Sequence, residues 1–223
     1  MKLTSSKRLK VRAFSPTQFL ATKGEGRSIR EVKKDACIYT QGEPGNSVYY
    51  IQKGRVKLIV VSAQGKEATV ALFGAKEFIG EDCVTGQDVA RKTSAIAMTA
   101  CTLMRIDRAE MIRVLHAENS FSDIFIAYLL FQNSRIQSDY VDQLFNTTEK
   151  RLARTLLQMV NFGVDATPQI VVPKISQQML SEMIGCTRSR VSFFMNRFRK
   201  QGFIDYNGTF TIHSTLIKVI LQN

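Results

Sequence analysis

Residues 175–200 read ISQQMLSEMIGCTRSRVSFFMNRFRK, two helical periods separated by one glycine. Leu180, Met183 and Ile184 recur at helical spacing and give a first helix one apolar face; Val191, Phe194, Met195 and Phe198 do the same for a second. Gly185 lies between them, where a sharp turn needs backbone freedom that a Cβ would restrict. Ser176 and Thr187 stand where N-cap hydroxyls would accept a free backbone N–H of each helix. The whole is a helix-turn-helix pattern. It places Thr187, Arg188, Ser189, Arg190, Ser192 and Phe193 near the exposed start of the second helix, with Arg197, Arg199 and Lys200 further along. An arginine at the start of such a helix can donate two hydrogen bonds to guanine O6 and N7, worth about 1–3 kcal/mol of discrimination. Cations further along suit phosphates, which fix position without reading sequence. A basic, solvated helix in an ordinary helical domain would share the charge, but not the agreement of turn, caps and paired apolar faces.

The flanks extend the pattern. Downstream, FIDYNGTFTIH (203–213) carries Asn207-Gly208 between alternating β-formers, a strong hairpin signal that predicts a wing after the second helix. Upstream come a helix over EKRLARTLLQMV, capped by Thr147 or Thr148, a loop NFGVDATP and a short strand QIVVP. Earlier still, from about Arg30 to Asp107, short β runs alternate with glycines: Val48–Ile51, Val56–Val61, Ala68–Leu72 and Ala95–Met104. Regular short strands with turn signals predict an all-β sandwich or roll, with Gln64-Gly65 as one hairpin turn. The period then changes. Residues 108–116 predict a short helix, and Ser122–Asn146, free of Gly and Pro, predict a long one. On that long helix Leu129, Asn133, Ile136, Tyr140 and Leu144 form a seam that resembles a short coiled coil with a register-setting Asn. The seam could also pack on the β domain, but the helix is longer than one covering helix needs, so pairing with a second copy is the expectation.

Composition narrows the function classes. At 223 residues, the chain is long enough for two modest domains, and 44% hydrophobic with 22% charged residues is ordinary globular usage. A formal net charge of +12 favours a polyanionic partner, nucleic acid before an anionic membrane surface. The excess is concentrated: residues 150–223 hold ten Lys/Arg against three Asp/Glu. Cys37, Cys83, Cys101 and Cys186 lack paired ligand spacing, which argues against a disulfide framework or metal cluster and for a reducing, cytoplasmic setting. The basic start MKLTSSKRLKVRAFSP lacks the apolar stretch of a secretion signal, and no run nears the ~20 apolar residues that span a bilayer. No membrane association is expected.

A second constellation lies in EFIGEDCVTGQDVARKTSAIAMTAC (77–101). Gly80 can present backbone N–H groups to a phosphate, Glu81 can accept from ribose hydroxyls, and Arg91 can supply the counter-charge. A structural ion pair between Glu81 and Arg91 fits the composition equally well.

Taken in order, these parts resemble the cAMP receptor protein/FNR family of bacterial transcription regulators, over about residues 30–212. In that family, segments like YTQGEPGNSVYYIQKGRVKLIVVSAQGKE (39–67) and EFIGE (77–81) belong to a cyclic-nucleotide-binding β-roll, the long helix is the dimer interface, and GCTRSRV (185–191) opens the recognition helix. The resemblance implies an α+β architecture. An N-terminal double-stranded jelly roll would be followed by a long dimerisation helix and a C-terminal winged helix-turn-helix. The expected divisions are a basic tail over 1–29, the effector-binding roll over 30–120, the dimerisation helix over 121–147 and the DNA-binding domain over 148–223. It further implies a homodimer on a two-fold symmetric operator, regulating transcription through RNA polymerase contact, occlusion or both, and no enzymatic activity.

Carried over residue by residue, Gly80, Glu81 and Arg91 match the family's phosphate-binding cassette. The match then ends. Where cAMP-binding members continue with a small hydroxyl residue and an alanine, Lys92 and Thr93 stand here; where they place a threonine and a serine against adenine, Ile136 and Gln137 stand. Ile136 can neither donate nor accept, so a different nucleotide, another small molecule or no effector at all is expected rather than cAMP. Arg188 matches the family's guanine-reading arginine, whereas Ser189 and Phe193 replace a base-reading glutamate and an arginine, so the operator differs. The N-terminal cysteine cluster of iron–sulfur members is missing, since residues 1–36 contain no cysteine. His116 and His213 lie outside the roll, which argues against a metal-dependent cupin enzyme and against haem ligation by histidine, while Cys83, beside the cassette, is expected to be a buried structural thiol rather than an axial ligand. A nucleotide-sensing module that meets protein rather than DNA is the remaining alternative; the arginines of the second helix speak against it.

Overall fold

Apolar runs in the first half pair into two facing sheets, because a strand pair with one apolar face must bury it against another layer. The computed structural model describes residues 14–86, 89–161, 170–172, 175–205 and 210–221. Eight strands make the roll: β1 (Arg27–Val32), β2 (Cys37–Tyr39), β3 (Ser47–Lys53), β4 (Val56–Val61), β5 (Glu67–Phe73), β6 (Phe78–Ile79), β7 (Ser94–Ala97) and β8 (Cys101–Asp107). They form two antiparallel four-stranded sheets, ordered β1-β8-β3-β6 and β2-β7-β4-β5. Register follows the apolar alternation, with Val48 opposite Ile106 and Val56 opposite Ala97. Tyr39, Tyr49, Ile51, Val56, Ile79 and Leu103 fill the space between the sheets. Ser62 and Lys66 close the expected Gln64-Gly65 hairpin through a 2.9 Å backbone bond.

The run Ala95–Met104 is two strands in opposite sheets, β7 and β8, broken at 98–100 where Met98 N–H donates to the Arg55 carbonyl. No Gly or Pro marks that corner. The strands β1 and β2 stand outside the four expected runs: RSIREV is too charged to read as a buried strand, and CIY is only three residues long. Residues 14–29 do not behave as a tail. They include a helix α1 (Pro16–Ala21), capped by Ser15, which buries Phe19 and Leu20 against the roll, with the Phe19 ring 5.0 Å from that of Phe121. Residues 1–13 lie outside the described residues.

Helix α2 (Arg108–Ala117) leads into α3 (Asn119–Phe145), which starts three residues earlier than its period predicts. One face of α3 lies on the roll through Phe121, Phe125, Tyr128 and Gln132, at spacings of four and three. Leu129, Ile136, Tyr140 and Leu144 occupy the other face and are exposed in the protomer, as is Asn133. The seam therefore does not cover the β domain.

The C-terminal part contains α4 (Thr148–Asn161), β9 (Ile170–Val172), α5 (Gln177–Ile184), α6 (Arg188–Lys200), β10 (Ile204–Asp205), β11 (Phe210–Ile212) and α7 (Ile217–Leu221). Thr147 caps α4 through the Lys150 amide. Strands β10 and β11 pair antiparallel, with β9 on the far side of β11. The Asn207-Gly208 turn expected between them lies outside the described residues. Leu152, Leu156, Leu180, Val191 and Phe198 are fully or almost fully buried in this core. Each contributes about 1.5–3 kcal/mol of transfer free energy. The fold is an α+β assembly of roll, long helix and winged helix-turn-helix.

Candidate nucleic-acid interface and effector cassette

The turn between α5 and α6 is built as its residues require. Ser176 Oγ accepts from Met179 N–H at 3.1 Å and Thr187 Oγ1 from Arg190 N–H at 3.4 Å. Gly185 ends α5 at φ +63°, left-handed backbone that a Cβ would strain. Val191, Phe194, Met195 and Phe198 anchor α6 to the core. Outside that face Arg188, Ser189, Arg190, Phe193, Arg199 and Lys200 are exposed, and Ser192 is half-buried. Thr187 is exposed while its hydroxyl serves as the cap. No carboxylate occurs on α6, and its last turn holds Arg197, Arg199 and Lys200. Arg197 differs from the other two: its Nη1 lies 3.2 Å from Glu149 Oε2 on α4, so it braces the domain in this conformation. The signal for that brace is a glutamate in the first turn of α4, which sequence alone does not place near α6.

Contacts between roll and C-terminal part escaped the sequence reading. Glu182 Oε2 on α5 accepts from the backbone N–H and the hydroxyl of buried Thr69 on β5, at 3.3 and 3.2 Å. Leu72 of β5 packs within the C-terminal core. Asp142 near the end of α3 pairs with Arg154 of α4, and Arg151 Nη1 donates to the Gln143 carbonyl at 3.1 Å. The Glu182–Thr69 contact spans 113 positions, and no local pattern announces it.

In the cassette, Gly80 (φ +74°) turns the chain from β6 into a short 3-10 turn at Glu81–Thr85. A Cβ there would come 2.5 Å from Arg91 Nη1. Arg91 is 4% exposed, and protein groups surround its guanidinium. Nη1 donates to the Gly80 carbonyl at 2.7 Å and to Asp82 Oδ1 at 3.1 Å, Nη2 donates to the Ser47 carbonyl, and the plane lies over the Tyr39 ring at 4.4 Å. The ion pair is with Asp82, so the Glu81–Arg91 pair considered from composition is not the one formed. An anion entering here would compete with the Asp82 carboxylate for the same N–H groups. Cys83, buried beside Arg91, has its thiol pKa pushed up by burial and is not poised as a nucleophile.

Glu81 lines a cavity of about 220 Å³ between the roll, α3, α4 and α5, together with Gln132, Arg135, Ile136 and Asp139. Ile136 therefore joins Glu81, whereas Gln137 and Lys92 are exposed and line no part of that cavity, and Thr93 hydrogen-bonds the Tyr39 side chain. Gln132 and Arg135, absent from the sequence-based set, hold α3 to the roll by donating to Glu77 Oε1 at 3.0 and 3.3 Å. Among the described residues no group of His, Cys, Asp or Glu could hold a metal ion.

Burial holds the Glu81 carboxyl above the ordinary glutamate range; neighbouring Asp82 adds to this, and its own backbone N–H and Arg91 oppose it. A raised folded-state pKa means that the folded protein retains the proton to higher pH than the unfolded chain. The penalty is therefore absent below the unfolded glutamate value, ~4.3, and grows as pH rises through the folded one. Glu81→Gln is expected to raise the melting temperature at pH 7 and to leave it unchanged below about pH 4. Thermal melts across that range test it, and equal gains at both ends would assign the effect to something other than ionisation.

Comparison with known proteins places both halves. The cyclic nucleotide-binding domain family matches residues 29–118, and the Crp-like helix-turn-helix domain family matches residues 150–215. The cAMP-activated global transcriptional regulator CRP of Salmonella typhimurium is 26% identical over 190 residues, covering 84% of this chain and 90% of its own length. The structure of FixK2 from Bradyrhizobium japonicum superposes with a TM-score of 0.74 at 17% identity, covering 86% of this chain and 95% of that one. That of the c-di-GMP responsive global regulator CLP of Xanthomonas campestris gives 0.68 at 20% identity, covering 89% and 98%.

Proposed function

Because this chain belongs to the cAMP receptor protein/FNR family of transcription regulators, we propose that it works as a homodimer that reads a two-fold symmetric DNA operator in the cytoplasm. There it would act on transcription by contacting or excluding RNA polymerase. The observation that carries the reading is the outward side of α6, where an arginine-rich, carboxylate-free surface is exposed and held rigid by a capped glycine turn. Paired copies would set two such helices in successive major grooves about 34 Å apart. No described helix is long and apolar enough to cross a membrane.

Within this reading Arg188 specifies a base, and Arg199 and Lys200 meet phosphates. Arg188→Ala is expected to lower affinity for the selected operator about 5- to 150-fold, while binding to random duplex changes little. Titrations on operator and random DNA test it, and equal losses on both would demote Arg188 to a phosphate contact. The wider experiment is selection of bound duplexes from a random pool, repeated with a panel of nucleotides. An effector, if used, would enter near Glu81 and Ile136 rather than replace Asp82 on Arg91. What supports this is that the cavity beside Glu81 touches α4 and α5 as well as the roll. A ligand there would contact the DNA-binding part directly.

A further inference from the structure

Phe193 is the feature of α6 that neither core packing nor phosphate binding accounts for. At 100° per residue, the buried Val191, Phe194, Met195 and Phe198 define one side of the helix, and Ser189, Phe193, Asn196 and Lys200 form the row opposite. Phe193 sits in the middle of that row, 62% exposed, with an edge contact to the Phe194 ring at 5.3 Å. Among the described residues from Thr148 onward it is the exposed aromatic side chain; its neighbours on the surface are hydroxyl, amide or cationic.

We propose that Phe193 reads the 5-methyl group of a thymine in the operator. This rests on the assignment of α6 to the major groove and adds what that helix selects. The groove floor offers hydrogen-bond donors and acceptors at every base pair and a single kind of apolar group, the thymine methyl. A phenyl ring cannot donate or accept with the conventional edge groups. Pressed on guanine O6 or cytosine N4 it would strip water from a polar group and return nothing. Against a thymine methyl it removes two apolar surfaces from water together. Of the cations on the same helix, Arg188 suits a guanine edge and Arg190 and Arg199 suit phosphates, so the surface as a whole fits a duplex better than an apolar protein partner.

The test starts from an operator selected from a random duplex pool by the full-length protein. Each thymine is then replaced singly by deoxyuridine, which lacks only the methyl group. At one thymine position per half-site the wild-type dissociation constant is expected to rise about fourfold, the equivalent of ~0.8 kcal/mol for one methyl group, and about 15-fold with both half-sites altered. Phe193→Ala should bind the thymine and deoxyuridine duplexes equally, and Phe193→Leu should keep at least a twofold preference for thymine. The position is solvent-exposed, so both variants keep the core intact. A wild-type protein indifferent to every replacement overturns the proposal while leaving DNA recognition standing. So does a Phe193→Ala protein with the full thymine preference, which would put the ring against a protein partner. A pool from which no duplex is enriched overturns both this reading and the one beneath it.

Discussion

Replacing Ile136 by glutamate is expected to yield a folded monomer and to lower affinity for a two-fold symmetric operator by a hundredfold or more. In the protomer Ile136 is 66% exposed, so the change removes no core contact. Leu129, Tyr140 and Leu144 continue its row along α3, and Leu130, Val141 and Phe145 widen the apolar surface. A contiguous apolar strip of this length on an otherwise charged protein marks an interaction surface. A glutamate in the middle of a paired seam would be buried without a partner, a cost that two copies of a short helix do not offset. The loss on DNA follows from linkage: two recognition helices held together bind 10²–10⁴ times better than either alone. Light scattering measures the first effect, and titration against full and half operators measures the second. A variant that stays dimeric would locate the pairing surface elsewhere.

Arg91→Ala is expected to cost about 2–6 kcal/mol of stability, the range for two buried carbonyls left without a donor, since Asp82 is partly exposed and water can solvate its carboxylate. The side chain is nearly inaccessible, and its loss strands the carbonyls of Ser47 and Gly80 together. Each buried acceptor left unpaired costs about 1–3 kcal/mol. Arg91→Lys should recover only part of this, because one ammonium lacks the fork that reaches β3 and the 3-10 turn at once. Chemical denaturation of the full chain measures both variants. A wild-type midpoint in Arg91→Ala would show that water replaces the guanidinium without penalty. The resemblance assigns Arg91 to a ligand phosphate; its contacts here make it first a strut of the roll, so lost effector response in an alanine variant has to be separated from lost fold.

The helix-turn-helix was readable because everything that defines it is local. Gly185, the caps Ser176 and Thr187, and apolar residues three and four apart act within one or two turns of chain. The two-faced nature of α3 was half readable: the seam through Ile136 stood out, but the face through Phe121, Phe125 and Gln132 had the same period and only packing chose between them. Chain direction at the 98–100 corner was hidden, since backbone bonds to Arg55 make that turn instead of glycine.

Sequence alone carried the helix-turn-helix, the order of roll, long helix and winged domain, and the chemistry of the α6 surface, for these depend on neighbours along the chain and on the side chains themselves. The tertiary structure decided which charges meet. Arg91 was set on Asp82 and Ser47, Glu182 on Thr69 across 113 positions, and Gln132 with Arg135 on Glu77. Such pairings depend on which strands become neighbours and on how far a side chain reaches across a sheet or between layers. Two carboxylates on adjacent residues, Glu81 and Asp82, are equivalent in a string of letters; the 3-10 turn sets Asp82 on an arginine and Glu81 in the lining of a cavity.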